Sequence, residues 1–201
     1  MEDNMDYIKP FKEARKVELQ LNEEGKSGNR SSQRTDVLND YTIELIKKHI
    51  PENNLNQWRF ETEENIDCSR GDTFSIDILC YHNDQLKCLL LLKAIGSSYN
   101  KNRHNYANTV EGECARIFDY EEREDGLSVI FIDWIPNKVP AGTKMETPNI
   151  PDLTKSEKRW NSFLADRDSS VSFCKVRFDL GTYKNISGAD KLKESLVRSF
   201  S

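Results

Sequence analysis

Two apolar segments joined by a short polar turn dominate the pattern of this chain: Phe74-Ser-Ile-Asp77-Ile-Leu-Cys-Tyr81, then His82-Asn83-Asp84-Gln85, then Leu86-Lys-Cys-Leu-Leu-Leu-Leu-Lys93-Ala94. Both are rich in strand formers and bounded by turn residues, which predicts a β-hairpin. Upstream, Leu38, Tyr41, Leu45 and Ile46 recur at helical spacing after the capping residue Asp36 and before Pro51. That spacing predicts an amphipathic helix with Glu44 beside its apolar stripe. Trp58-Arg-Phe-Glu-Thr62 predicts a strand. Residues 1–35 open with a short helix from Tyr7 to Leu21 and pass into a polar stretch, Asn22 to Thr35, without periodicity. Such a stretch is a loop or disordered.

Beyond the hairpin, residues 96–106 are polar and predict a loop over the strand ends. Ala107, Val110, Cys114, Ile117 and Phe118 share one face of a helix expected over 109–120, and Asp119 to Asp125 reads as an exposed helix end or turn. Ser128-Val-Ile-Phe-Ile-Asp-Trp134 predicts a buried strand closed by Pro136. Residues 136–153 hold Pro136, Pro140, Pro148 and Pro151 and predict a long loop. A helix is expected from Ser156 to Ala165. In Val171 to Leu180, Cys174, Val176, Phe178 and Leu180 alternate with Lys175, Arg177 and Asp179, as in a half-buried strand. Ser187 caps a final helix with Leu192, Leu196, Val197 and Phe200 inward. The expectation is a mixed α/β domain over residues 36–201, preceded by a helix and polar segment over 1–35.

With 201 residues, of which 36% are hydrophobic, the chain is long enough for one core and too short for two ordinary domains with a linker. No apolar run reaches the roughly 20 residues a bilayer crossing needs. Met1-Glu-Asp-Asn4 lacks the basic start of a secretion signal, so a cytoplasmic location is expected. Cys68, Cys80, Cys88, Cys114 and Cys174 are odd in number and form no CxxC pair, which points away from a disulfide framework or a zinc site. The net charge of −5 argues against a general nucleic-acid coat, whose affinity comes from Lys and Arg at phosphates. Its distribution changes the picture. Residues 87–116 carry a net +3 and the remainder −8, so positive charge gathers around the second arm of the hairpin.

Asp77 and Lys93 lie inside otherwise apolar strands. Each costs free energy to bury unless a partner, a metal or a substrate compensates. The order of a helix, a hairpin with Asp77 on one arm and Lys93 near the end of the other, and a second helix resembles the PD-(D/E)XK nuclease fold of many type II restriction endonucleases, over residues 36–134. The resemblance implies a restriction-endonuclease-like central mixed sheet flanked by helices. It also implies Mg²⁺ held by the Asp and by a second acid two residues before the Lys, with the Lys positioning or activating the attacking water. Asp77 matches the Asp and Lys93 the Lys. Ile76 stands where the family often has Pro, and Leu91 stands where it has the second acid.

One carboxylate binds a hard dication poorly at neutral pH, so a second must come from elsewhere or the site is inactive. Some restriction enzymes of this fold recruit a Glu from the helix after the Lys strand, where this chain has Glu111 and Glu113. Asn108 followed by Glu111 has the spacing of a capping box, which gives Glu111 a structural task. Glu113, one turn from Arg116, is then the expected second ligand, and Glu44 a further candidate.

In the loop that follows Lys93, Ser98, Asn100, Lys101, Asn102, Arg103 and Asn105 supply cations for phosphates and amides of the type that read adenine edges. The resemblance implies the same, since this segment often reaches DNA in restriction enzymes of the fold. The resulting expectation is a magnesium-dependent, type II site-specific deoxyribonuclease acting on double-stranded DNA. A homodimer is expected with it, because palindromic sites demand two-fold symmetry. Two alternatives stand beside it: a catalytically inactive nuclease-like protein that binds nucleic acid, for which Leu91 speaks, and an α/β protein-interaction module, for which the acidic net charge speaks.

Overall fold

A computed structural model describes residues 5–28, 31–68, 73–99, 109, 111–117, 126–141, 144–146 and 170–201. The elements are α1 (Lys9–Glu23), α2 (Ser32–Lys47), a 3₁₀ turn (Glu52–Gln57), β1 (Trp58–Asp67), β2 (Thr73–His82) and β3 (Gln85–Ala94). Helical residues 111–117 (α3) follow. The remainder is β4 (Ser128–Pro136), β5 (Val139–Ala141), β6 (Lys144–Glu146), β7 (Val171–Phe178), β8 (Asn185–Ser187) and the C-terminal helix Ala189–Phe200, here α4.

The main sheet has the order β1-β2-β3-β4-β7-β8. Its strands are antiparallel at β1/β2, β2/β3 and β7/β8, and parallel at β3/β4 and β4/β7. The fold is therefore α/β, with a mixed six-stranded sheet flanked by helices. The β2–β3 hairpin turns at Asn83 and Asp84, both at positive φ (49° and 62°), as a two-residue primed turn requires.

Each face of the sheet is apolar. Ile78, Leu90, Leu92, Ile132, Trp134 and Val176 meet Phe11 of α1, Leu38 and Ile46 of α2, and Leu192 and Phe200 of α4. Leu89, Leu91, Val129, Phe131 and Phe173 meet Cys114 and Ile117 of α3 on the other face. This two-sided burial explains why β3 and β4 read as continuous apolar runs rather than alternating ones. All five cysteines are buried, and none is in a disulfide.

The structure revises several expectations. Helix α1 and the residues before it share the main core: Tyr7, Ile8, Phe11 and Ala14 belong to it, and the Phe11 ring lies 4.7 Å from that of Phe178. Trp134 Nε1 also donates to the Tyr7 carbonyl at 2.9 Å. The second helix starts at Ser32 rather than Asp36, because the first turn is tied down by Arg34. Arg34 donates to the Ala94 carbonyl at 2.5 Å, and its Nε lies 3.2 Å from the buried carboxylate of Glu18, which also pairs with Arg15.

Part of the predicted 136–153 loop is the β5–β6 hairpin, anchored by Val139 against Ile95, Tyr99 and Ile135. The final helix takes Gly188 as its N-cap, since Ser187 is drawn into β8, and Val197 is 41% exposed instead of inward. The helix expected over 156–165 lies outside the described residues. Among the described residues no helix is long and apolar enough to cross a membrane.

Candidate functional site

The site grows from strand alternation. Leu89 and Leu91 face α3, so Lys93, two residues on, faces the same way. The parallel registers then set Lys93 beside Asp133 of β4, and Asp133 beside Lys175 of β7. One step earlier along the same strands stands the apolar row Leu91, Phe131, Phe173. A charged row thus caps an apolar one toward the C-terminal ends of three parallel strands, the end at which open α/β sheets bind their ligands.

Helix α3 supplies the next member. Cys114 and Ile117 bury its inner face, and this seats Glu113 over the charged row. Lys93 Nζ lies 2.8 Å from Glu113 Oε1, with side chains 30% and 11% exposed. The other oxygen, Glu113 Oε2, is buried without a hydrogen-bond partner. Arg116, one turn along α3 from Glu113, lies over the Phe74 ring at 5.6 Å.

Asp77 enters from β2 where that strand leaves its regular course. Paired positions of β2 and β3 end at Ile78 and Leu90. Ile76 packs on the α3 face while Ile78 packs on the opposite one, so the alternation breaks at Asp77. Across from it in β1, Glu63 has φ 56°, a left-handed backbone that matches a local distortion. The Asp77 carboxylate takes the place of a ladder carbonyl: Leu92 N–H donates to its Oδ2 at 2.7 Å.

Electrostatics tie these groups together. Burial raises the Asp77 carboxyl, opposed by the Leu92 N–H and the Lys93 charge and reinforced by Glu113. Burial alone would lower Lys93, but the charge and hydrogen bond of Glu113, with Asp77 and Asp133, carry it above the ordinary lysine value. Asp133 is pushed up to about 6 by burial, against the charges of Lys175 and Lys93 and with the help of Glu113. Three carboxylates and two ammonium groups therefore share one electrostatic neighbourhood.

Of the residues singled out from the sequence, Asp77, Lys93 and Glu113 meet here. Leu91 is 2% exposed and belongs to the core against α3, so the position at which the resemblance would call for a second acid is filled by packing. Glu111 lies in the first turn of α3, one turn before the inward-facing Cys114. Glu44 is not brought to the site. It pairs with Lys9 at 3.0 Å on α2, which covers the opposite face of the sheet. Ser98, at φ 51°, donates its N–H to the Pro140 carbonyl at 2.9 Å and so joins the loop after β3 to the β5–β6 hairpin. Asn100, Lys101, Asn102, Arg103 and Asn105 lie outside the described residues, as does Asn108.

Two members of the cluster, Asp133 and Lys175, went unnoticed in the sequence. The signal for Asp133 was the one that marked Asp77, an acid inside an apolar strand. Lys175 read as the solvent side of an alternating strand, since nothing local shows that Phe173 buries that face.

Among the described residues no three Asp, Glu, His or Cys side chains are grouped closely enough to hold a metal ion by themselves. Two carboxylates with a free buried oxygen nonetheless suit magnesium, which keeps waters and is commonly bound by one or two carboxylates together with substrate phosphates. No protein-family model matches the chain, and no curated protein and no solved structure is significantly similar to it.

Proposed function

We propose that this chain is a magnesium-dependent endonuclease that hydrolyses phosphodiester bonds of double-stranded DNA as a site-specific type II restriction enzyme. The observation that carries the reading is the Lys93–Glu113 pair at 2.8 Å beside Asp77, three polar side chains brought from separate elements to the end of an apolar sheet. Burying them costs free energy that packing does not return, which is the signature of a site kept for chemistry. The order of helix, Asp77–Lys93 hairpin and Glu113 helix supports the resemblance to PD-(D/E)XK nucleases.

Asp77 and Glu113 would hold Mg²⁺, with the unpartnered Glu113 Oε2 as the open donor. The ion, when bound, neutralises charge developing on the phosphoryl group. Lys93 Nζ, released in part from Glu113, donates hydrogen bonds to the attacking water and to a phosphate oxygen. The water oxygen forms the new bond to phosphorus as the water gives up a proton to solvent, and the bond from phosphorus to the 3′ oxygen breaks, that oxygen taking a proton from solvent; the product strand keeps a 5′ phosphate, as in the nucleases the chain resembles. The net +3 of residues 87–116 supplies attraction for the DNA backbone, and Ser98, Asn100, Lys101, Asn102, Arg103 and Asn105 its contacts. A homodimer matches a palindromic site, and a cytoplasmic location matches this role.

One observation favours a second reading. Leu91 is locked into the core, so the site lacks the family's usual second acid, as in a nuclease-like protein that binds DNA without cutting.

The test is incubation of long, sequence-diverse DNA with Mg²⁺, comparing the wild type with Lys93→Ala and with an EDTA control. Discrete fragments that vanish in both controls support the enzyme. Salt-dependent DNA binding by folded protein without cleavage supports the second reading.

A further inference from the structure

We propose that Lys175 and Arg177, on β7, form a second phosphate-binding element of the site and hold the DNA backbone at phosphates next to the one that Lys93 meets. The identity of the ligand rests on the nuclease reading; the pairing of the two cations rests on strand geometry. Phe173 packs on the face that α3 covers, and side chains two residues apart on a strand point the same way, so Lys175 and Arg177 share that face. Val176, between them, is fully buried in the opposite core, as the alternation requires. Parallel pairing carries Lys93 to Asp133 and Asp133 to Lys175, which sets the two lysines two strand spacings apart, roughly 10 Å. Arg177 lies roughly 7 Å further along β7, beside Ile135.

Charge on this side of the row is in excess. Asp133 stands between two lysines, and Arg177 adds a cation whose own register partners, Ile135 and Ser187, carry no charge. Ile135 belongs to an apolar cluster with Ile95, Tyr99 and Val139, so the guanidinium is not retained for an acid across the strand. Its Nε is buried without a hydrogen-bond partner although the residue as a whole is partly exposed. A buried donor left unpaired is costly, and an arginine fork matches a phosphate with two parallel hydrogen bonds. The strand that carries the pair is held firmly. Ser187 of β8 pairs with Arg177, and the Gly188 that follows lies so close to β7 that a Cβ there would come within 1.8 Å of the Lys175 carbonyl oxygen. Two cations on a rigid strand keep their spacing, which suits the regular spacing of backbone phosphates.

The test measures binding of the full chain to fluorescent duplexes of unrelated sequence, by anisotropy over a range of KCl, in EDTA and separately in Ca²⁺. The double variant Lys175→Gln with Arg177→Gln is expected to bind every duplex more weakly. Its slope of log affinity against log salt should be shallower by about 2, since each phosphate contact contributes about 0.9. Lys175→Arg with Arg177→Lys keeps both charges and should restore the slope. Lys16→Gln removes an exposed charge on α1, across the sheet, and should leave it unchanged.

A second measurement needs no substitution: duplex DNA should protect Lys175 of the wild type, along with Lys93, from acetylation by acetic anhydride. A double variant with the wild-type slope and an affinity within twofold of the wild type would overturn this inference and leave the nuclease reading standing. Acetylation of Lys175 that bound DNA does not slow would do the same. A wild type that binds no duplex at low salt overturns both. The expected loss of slope in a protein that cuts no DNA with Mg²⁺ supports the phosphate contacts and removes the nuclease reading alone.

Discussion

The backbone N–H of Leu92 donates to Asp77 Oδ2 at 2.7 Å, just beyond the last paired positions of the β2–β3 ladder. One side chain thereby satisfies a strand N–H while its charge acts on Lys93 and Glu113. Structure and proposed chemistry depend on the same carboxylate, and substitutions can separate them.

Asp77→Ala should destabilise the fold by about 1–3 kcal/mol, the cost of leaving a buried donor unpaired. Asp77→Asn keeps an acceptor oxygen and should stay within about 1 kcal/mol of the wild type, since the lost term is only the charge on that bond. Both should abolish metal-dependent cleavage. Urea unfolding beside the cleavage assay checks the split; equal destabilisation by Asn and Ala would show that the Leu92 bond matters little.

Lys93→Met should destabilise by about 1–3 kcal/mol, because it leaves Glu113 mostly buried without its cation; the figure is below that for a fully buried pair because Lys93 is partly solvated. Adding Glu113→Gln should restore a large part of that loss without restoring activity. The double-mutant cycle, read by chemical denaturation, isolates the pair. Additive losses would mean that the two side chains are uncoupled in solution.

Stability of the metal-free protein should rise as the pH is lowered from 7 toward 5. The folded-state carboxyl of Asp133 is pushed up to about 6, above its value in the unfolded chain. Its contribution is therefore complete below the unfolded value, near 4, and is lost as the pH climbs through 6. A shift of this size corresponds to about 3 kcal/mol at most, and the upward shift of Asp77 acts in the same direction. Thermal melts in EDTA across this range, for the wild type and Asp133→Asn, measure it. The variant should show a flatter profile and a higher melting temperature at pH 7; a profile unchanged by the substitution would contradict the burial argument.

The N-terminal helix should be indispensable to the domain. Phe11→Ala removes a fully buried ring from the main core and should cost about 3–5 kcal/mol. Glu18→Ala leaves the largely buried Arg15 and Arg34 around an empty position and frees the anchor of Ala94, the residue after Lys93. It should cost about 3–5 kcal/mol, as other broken buried pairs do. Chemical denaturation of each variant checks this, and a chain beginning at residue 36 that melts like the full protein would refute it.

Local pattern alone located the hairpin, its turn, the buried fourth strand, the alternating seventh and the C-terminal helix. These features depend on neighbours two to four residues away, and periodicity records such neighbours directly. It also isolated Asp77 and Lys93, because a charge inside an apolar strand is conspicuous in one dimension. Glu113 emerged only by weighing helix-start chemistry against its neighbour Glu111.

The rest was decided in three dimensions. Whether Asp133 and Lys175 join the site depends on the register of parallel strands separated by long connections, which no local pattern specifies. That Leu91 belongs to the core, and that Tyr7, Ile8, Phe11 and Ala14 share in it, follows from which helix covers which face of the sheet. The break in alternation at Asp77 arises where β2 parts from β3 while still paired to β1. Residue type alone carried the candidate chemistry of this chain; tertiary packing decided which of those groups face one another.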